Sequence, residues 1–416
     1  MAIRTLSGAR LVAIVCAAQV LVQIGAFFWP ALLPGMMTRW ALTNSEAGWI
    51  TAIFYGAYLL AVPVLVTLTD RVDAKRVYLF GVGCTVLGHL LFGLYADGFW
   101  PAMVTRALTG IGWAGTYMTG LKLLADQVDA KLMSRAVTGH AASIGISGAL
   151  SFSCADLLAN WYGWQSAFLV AALSAALAWL LIALAVPPRK SIKVRPTDGS
   201  ALFDFRPVFR NRSAMAYALA YCVHTLEMSA LRGWAVAFLA FVAIGAEGAQ
   251  LSPAVVVTGL GLVGAVASVI GNEAAIRFGR RRLICCAMAA CVLIGGSIGF
   301  AGTTSYSIAV ALLMIYGFFV WLDSSSLTAG AAGTAEPARR GATLAVHSML
   351  GYTGGFVGPL IIGFILDLAG GMSRIGWGVA FLAIAVLVLL ELTVFWLMRP
   401  RELAGDHGER SAANRP

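Results

Sequence analysis

The sequence predicts an all-α membrane protein with twelve membrane-spanning helices in two pseudo-symmetric six-helix bundles. Three observations support this fold class: long apolar segments fill the chain, charged residues fall between them, and the second half repeats the spacing of the first. A bilayer core about 30 Å thick needs roughly 20 apolar helical residues. Hydrophobic residues make up 60% of the 416 residues and charged residues 12%, well below the roughly 25% charged of a soluble domain.

The predicted spans follow one another along the chain with short loops between them. They cover residues 11–36, 45–69, 77–96, 99–125, 135–159, 164–187, 213–245, 251–276, 282–302, 304–335, 341–369 and 373–398. The longest break is rich in proline and basic residues. It divides the chain into an N-terminal bundle (1–187), a cytoplasmic linker (188–212), a C-terminal bundle (213–398) and a cytoplasmic tail (399–416).

The basic residues are concentrated in the loops on one side of the predicted membrane. Of the 29 Lys and Arg residues, 24 fall on one side of the predicted membrane, Arg39 and Arg374 fall on the other, and three lie within spans. Basic loops mark the cytoplasmic face, so we expect a multi-pass protein of the bacterial inner membrane with both termini in the cytoplasm. The net charge of +10 then reflects topology and the lipid bilayer, and no nucleic-acid partner is expected.

A constant offset relates the two halves. The basic loop that ends at Arg76 recurs at Arg282, 206 residues later, and Gly145 and Gly148 recur at Gly351 and Gly354 at the same spacing. Such an offset predicts two parallel repeats related by an axis along the membrane normal.

The loop after the second span resembles the signature of the major facilitator superfamily, G-x-L-A-D-R-x-G-R-K-R. It contains Asp70, Arg71, Lys75 and Arg76, and a partial second copy runs from Arg277 to Arg282, with Ile276 in the place of the acid. The resemblance implies a monomeric secondary transporter that works by alternating access. It also implies a cytoplasmic gate, for which the candidates are Asp70, Arg71, Lys75, Arg76, Asp126 and Arg281. The alternative is that these charges only set topology.

The enzyme-like motifs in this sequence lie in the wrong structural context for an active site. Gly110–Gly115 and Gly259–Gly264 both spell G-x-G-x-x-G, but a dinucleotide site needs this motif between a strand and a helix. Here both copies fall inside predicted spans, where glycines allow helices to pack closely. The seven cysteines include no C-x-x-C pair. We therefore expect no enzymatic activity, no cofactor and no metal site.

Charges inside the spans are the best indicators of function, because each costs about 2.5–3.5 kcal/mol at a helix centre. In the seventh span, His224 and Glu227 are three residues apart and share a helix face. An acid beside a histidine near the midplane suits proton coupling. Asp323 in the tenth span is the third proton-coupling candidate. The alternative is that Glu227 forms a structural ion pair with Arg232 or Arg106.

Two arginines from opposite halves point to an anionic substrate. Arg106 in the fourth span and Arg232 in the seventh would hold a carboxylate or an inorganic anion if both faced one cavity. For Arg106 the alternative is a role in helix packing. Further candidates for the substrate-binding wall are polar or aromatic: Tyr117, Tyr316, Trp321, Gln23 and Tyr55.

The predicted function is secondary active transport of a small polar or anionic solute, organic or inorganic, driven by protons. The stretch from Trp321 through Arg340 and His347 to Pro359 resembles the nitrate, nitrite and cyanate carriers of the superfamily. A Gly-Pro motif in the fifth span, which marks proton-driven drug exporters, is absent. The alternative function is a proton-driven multidrug or metabolite efflux pump of the same fold.

Overall fold

A computed structural model describes residues 7–69, 71–188, 205–244, 246 and 250–406, and these form helices and loops with no strand among them. The α-helices are α1 (Gly8–Gln23), α2 (Phe28–Trp40), α3 (Asn44–Leu68), α4 (Ala74–Tyr95), α5 (Phe99–Gln127), α6 (Ala130–Tyr162), α7 (Trp164–Ala185), α8 (Arg206–Arg210), α9 (Arg212–Ala243), α10 (Pro253–Phe278), α11 (Arg280–Ala301), α12 (Tyr306–Leu322), α13 (Ser324–Thr334), α14 (Arg340–Leu368) and α15 (Arg374–Met398). The predicted all-helical fold is confirmed.

Within the described residues, eleven helical segments are long and apolar enough to cross a membrane. Helix α5, the predicted fourth span, is 29 residues long but lies outside this set. Its glycines and threonines, with Arg106, Lys122 and Asp126, lower its mean hydropathy.

Two predicted spans are each made of two helices. The first breaks between α1 and α2, where the Phe27 N–H donates to the Ser151 hydroxyl at 3.0 Å. The tenth breaks between α12 and α13, at Asp323. Hydropathy cannot detect either break, because both flanking helices are apolar.

Contacts divide the chain into two compact units. Unit 1 consists of Met1–Leu42 and Trp49–Thr197, and unit 2 of Thr43–Gly48 and Asp198–Pro416. Residues 189–204 of the predicted linker lie outside the described residues, and its end contains the short helix α8.

Close helix contacts at glycine organise unit 1. A Cβ added to Gly81 of α4 would lie 2.6 Å from the Gly115 backbone of α5, and one added to Gly112 would collide with Thr85. The first G-x-G-x-x-G sequence therefore serves helix packing. The core of this unit is apolar and is contributed mainly by α1, α4 and α7, including Val15, Val82 and Ile182.

In unit 2, α14 packs against α9 through its glycines. A Cβ on Gly354 would collide with the Cys222 carbonyl, and one on Gly358 with the Leu226 carbonyl. Because α14 has no side chain at these positions, it approaches the part of α9 that contains His224 and Glu227.

Candidate functional site

Glu227 is the central acid of unit 2. It lies on α9 with 4% of its surface exposed, and its Oε1 accepts a hydrogen bond of 2.7 Å from the Tyr316 hydroxyl of α12. The buried Cys291 of α11 is a further neighbour of this carboxyl group. Gly295 leaves room for the tyrosine, because an added Cβ would lie 3.2 Å from its hydroxyl. Three helices thus surround one buried carboxyl group.

His224 and Asp323 form a second polar contact in the same unit. The His224 Nδ1 and the Asp323 Oδ1 are 3.0 Å apart, and both side chains are buried. The two atoms are close enough for an ion pair but are not aligned as a hydrogen bond, so the contact is mainly electrostatic. The break between α12 and α13 places Asp323 at this position.

An aromatic stack extends the cluster to α14. The Tyr221 ring stacks on the rings of His224 and His347, with centroid distances of 5.7 and 4.0 Å. The Nε2 of His347 lies 3.2 Å from the hydroxyl oxygen of Thr328 on α13. We call Glu227, His224, Asp323, Tyr316 and His347 the acid–imidazole cluster. It contains two carboxyl groups and two imidazoles that can bind and release protons.

Arg106 is the corresponding buried charge of unit 1. It has 2% of its surface exposed, donates from Nη1 to the Ala26 carbonyl at 3.1 Å, and lies 4.6 Å from the centre of the Phe54 ring. Its Nε has no hydrogen-bond partner among the described residues. A cavity of about 10 Å³ beside it is lined by Gln23, Ala26, Phe54 and His89, among others.

The other wall candidates of unit 1 lie in packed surroundings. The Gln23 amide donates to the Thr116 hydroxyl at 3.3 Å, and the Tyr55 ring packs edge-on against Phe54 at 5.3 Å. Tyr117 stacks on His140 at 6.1 Å, and its carbonyl lies 3.0 Å from the Nε2 of His140. A role of these three residues in substrate binding stays a prediction.

In unit 2, the Arg232 guanidinium lies 5.0 Å from the centre of the Trp321 ring. This ring also packs on α10, where a Cβ on Gly264 would lie 2.7 Å from it. Helix α9 continues without interruption past Gly233, and an ion pair between Arg232 and Glu227 stays a prediction. Arg106 and Arg232 belong to different units, and their shared cavity stays a prediction.

The predicted gate residues have the following surroundings. Asp70 lies outside the described residues. The Lys75 Nζ donates to the Ala183 carbonyl at 2.8 Å, and Asp126 pairs with Lys122 on its own helix. A role for all six residues in gating stays a prediction.

Several residues of these clusters were not predicted from the sequence as functional. Cysteine and tyrosine are common in helix cores, so the presence of Cys291 and Tyr221 in apolar spans does not by itself indicate a function. Glu391 of α15 is buried, and its Oε1 has no hydrogen-bond partner among the described residues. A charged residue inside an apolar span was the available signal for Glu391.

The chain is similar to known transporters. The chain is 27% identical to the human protein spinster homolog 1 over 244 residues, 56% of this chain and 46% of that protein. It is 25% identical over 140 residues to a probable 4-methylmuconolactone transporter of Cupriavidus pinatubonensis, 34% of this chain and 32% of that protein. The chain thus matches about half or less of the length of these curated relatives.

Two solved structures are similar over nearly the whole chain. A bacterial homologue of the human lysosomal transporter Spinster has a TM-score of 0.78 at 14% identity, covering 94% of this chain and 96% of that one. The nucleoside transporter NupG has a TM-score of 0.76 at 14% identity, covering 93% and 99%. At these identities the likeness shows the fold alone.

The narrower resemblance to nitrate, nitrite and cyanate carriers was wrong, since the reported relatives are spinster-type and other organic-solute transporters. The motifs behind it, a Gly-Pro step and paired arginines, are too short to separate branches that share one helix scaffold. At the level of the family the sequence motifs were right. A sequence model of the Major Facilitator Superfamily matches residues 15–252 and 228–416, and this chain belongs to that superfamily, in which the relatives named above are transporters and not enzymes.

Proposed function

We propose that this protein is a proton-coupled secondary transporter of a small polar or anionic organic solute. In this proposal it lies in the bacterial inner membrane with both termini in the cytoplasm, and the acid–imidazole cluster of unit 2 binds the proton. The observation that carries the proposal is the buried Glu227 carboxyl group with its Tyr316 partner, on the same helix face as the His224–Asp323 pair.

Charge balance explains how the cluster would couple protons to movement. With His224 protonated and both acids ionised, the cluster has a net charge of −1, and a proton on Glu227 brings it to zero. A net charge buried in a membrane protein is costly. The transporter therefore reorients more readily when the cluster is protonated and neutral. The charged cluster disfavours this reorientation until Glu227 binds a proton.

The organic substrate class is supported by the relatives. Their names refer to a methylmuconolactone, nucleosides and sphingolipids, all of them organic. Arg106, with an Nε that lacks a partner among the described residues, is the group that would attract a carboxylate. Efflux by the same fold would use the same proton site and differ in the direction of net transport.

The proposal is tested with purified protein in liposomes that contain a pH-sensitive dye. Candidate solutes are added outside: simple carboxylates, 4-methylmuconolactone, nucleosides, sphingolipids, and nitrate as an inorganic control. We expect one organic class to give saturable transport accompanied by a pH change in the lumen. Saturable transport with an unchanged luminal pH would contradict proton coupling, and transport of nitrate alone would contradict the substrate class.

A further inference from the structure

The end of the chain folds back onto unit 2. After α15, Arg399 turns the backbone with a φ of 48°, and residues 399–406 run across the ends of α9, α11 and α13. We call residues 399–406 the strap. Two backbone contacts fix its first part: the Tyr217 hydroxyl donates to the Arg401 carbonyl at 3.0 Å, and the Arg401 N–H donates to the Ser213 hydroxyl at 3.1 Å.

The strap caps the start of α11. One Glu402 carboxylate oxygen accepts the Arg280 N–H at 2.8 Å, and the other accepts the Arg281 N–H at 3.0 Å. These are backbone donors of the first helical turn, which have no partner within the helix. A carboxylate is favourable there because it also meets the positive end of the helix dipole.

The strap ends in a buried ion pair. Asp406 receives two hydrogen bonds from the Arg280 guanidinium, from Nε at 3.1 Å and from Nη2 at 3.0 Å, and both side chains are almost fully buried. Gly405, with a φ of 99°, turns the backbone so that the Asp406 N–H reaches the Leu403 carbonyl at 3.0 Å. Such a two-pronged arginine–carboxylate pair fixes geometry as well as charge.

Arg280 belongs to the second copy of the basic loop, in which Ile276 occupies the place of the acid. Asp406 lies 126 residues further along the chain and supplies a carboxylate to this loop. The strap therefore provides from the tail what the second copy lacks in its own sequence.

Arg280 also connects the strap to the acid–imidazole cluster. Its Nη1 donates to the Ser326 carbonyl at 3.2 Å and to the Asn272 side chain at 3.1 Å. Ser326 lies in the first turn of α13, three residues after Asp323. The Leu403 side chain packs on the same helix, where a Cβ on Gly333 would lie 2.5 Å from it.

We propose that Asp406 and Arg280 are positioning residues that hold the start of α13, and with it Asp323, against His224. The role of Asp323 in proton coupling rests on the proposed function, but the mechanical part of this inference does not. Loss of the strap leaves Arg280 buried without its anion, which is strongly unfavourable, and releases α13 from α11.

The test compares two truncations of the full chain in detergent. A chain ending at Asp406 retains the strap, and a chain ending at Met398 lacks it. Hydrogen exchange is followed by mass spectrometry in α13 and in the first turns of α11. We expect the first truncation to match the full chain, and the second to exchange at least about tenfold faster in both segments. Equal exchange in both truncations would overturn the proposal.

A second readout separates positioning from a general loss of structure. The imidazole NMR signal of His224, identified by its loss in His224→Gln, should shift in Asp406→Asn and return towards its normal position in Asp406→Glu. The signal of His89 in unit 1 should not move. Glu336→Gln, which removes an exposed carboxylate elsewhere in unit 2, is the control. An unmoved His224 signal in a folded Asp406→Asn protein would overturn the positioning role.

If Asp406→Asn fails to fold, Tyr217→Phe provides a milder change. It removes the donor to the Arg401 carbonyl and retains the ring that packs against Gly330 of α13. We expect a smaller increase of hydrogen exchange in the same two segments. An unchanged exchange rate would contradict the proposed positioning role of the strap. These outcomes do not depend on transport, so a failure of the strap is distinct from a failure of proton coupling.

Discussion

The buried Arg106 of unit 1 and the acid–imidazole cluster of unit 2 differ in their chemistry. In unit 1, Arg106 is a permanent cation that contacts a carbonyl and an aromatic ring. The cluster of unit 2 consists of titratable groups. Its Glu227 carboxyl group contacts the Tyr316 hydroxyl, and its His224 imidazole contacts the Asp323 carboxyl group. We therefore propose that Arg106 supplies a fixed charge and that the acid–imidazole cluster supplies a charge that changes with protonation.

The largest expected effect on stability comes from replacing Arg106. Arg106→Ala should lower the free energy of unfolding by about 3–4 kcal/mol, because it leaves a cavity and an unpaired Ala26 carbonyl. Arg232→Ala, which loses a contact with the Trp321 ring, should cost about 1 kcal/mol. Denaturant titration in mixed micelles measures both. An equal or larger cost for Arg232→Ala would break the contrast between the two arginines.

The variable charge is tested by Asp323→Asn. The amide has the shape of the acid but places no negative charge beside the His224 imidazole, and the loss of this buried contact should cost about 2–3 kcal/mol. Proton-driven accumulation in liposomes should therefore fall by about thirtyfold or more. Asp156→Asn in unit 1 is the control and should accumulate solute normally. Normal accumulation by Asp323→Asn would remove this residue from the cluster.

The smallest expected effect concerns the packing that fixes α5 and its Arg106. Gly81→Ala should destabilise the protein by about 2 kcal/mol, because its Cβ would lie 2.6 Å from the Gly115 backbone. Gly83→Ala, on the same helix with nothing within 4 Å, should be neutral or stabilising by about 0.5–1 kcal/mol. Thermal unfolding in detergent measures the pair. Equal stability of the two variants would contradict the close helix contact.

The sequence predicted the helices and the superfamily, because both leave long-range patterns: apolar runs, basic loops and a repeat offset. It also selected Glu227, His224 and Asp323, since charged residues stand out in apolar spans. It did not predict the partner of each charge. Tyr316 was selected as a wall residue, but its hydroxyl contacts Glu227, and such pairing across helices leaves no periodic signal.

The strap shows the same limit at the end of the chain. The sequence indicated that the second basic loop lacks its acid, at Ile276, and assigned residues 399–416 to a tail. Nothing in the spacing connects Arg280 with Asp406, because the two residues are 126 positions apart and four of the predicted spans lie between them. The contact depends on the packed helix ends of unit 2, and only the structure brings them together.

The most direct test of the central claim, that unit 2 carries the proton, is gradient-driven uptake by Glu227→Gln in liposomes. The variant should lose accumulation under an imposed pH gradient but retain exchange of preloaded substrate, because an amide cannot release a proton. Glu336→Gln, the same substitution at an exposed site of unit 2, should behave like the unaltered protein. Accumulation by Glu227→Gln at the normal level would contradict the account.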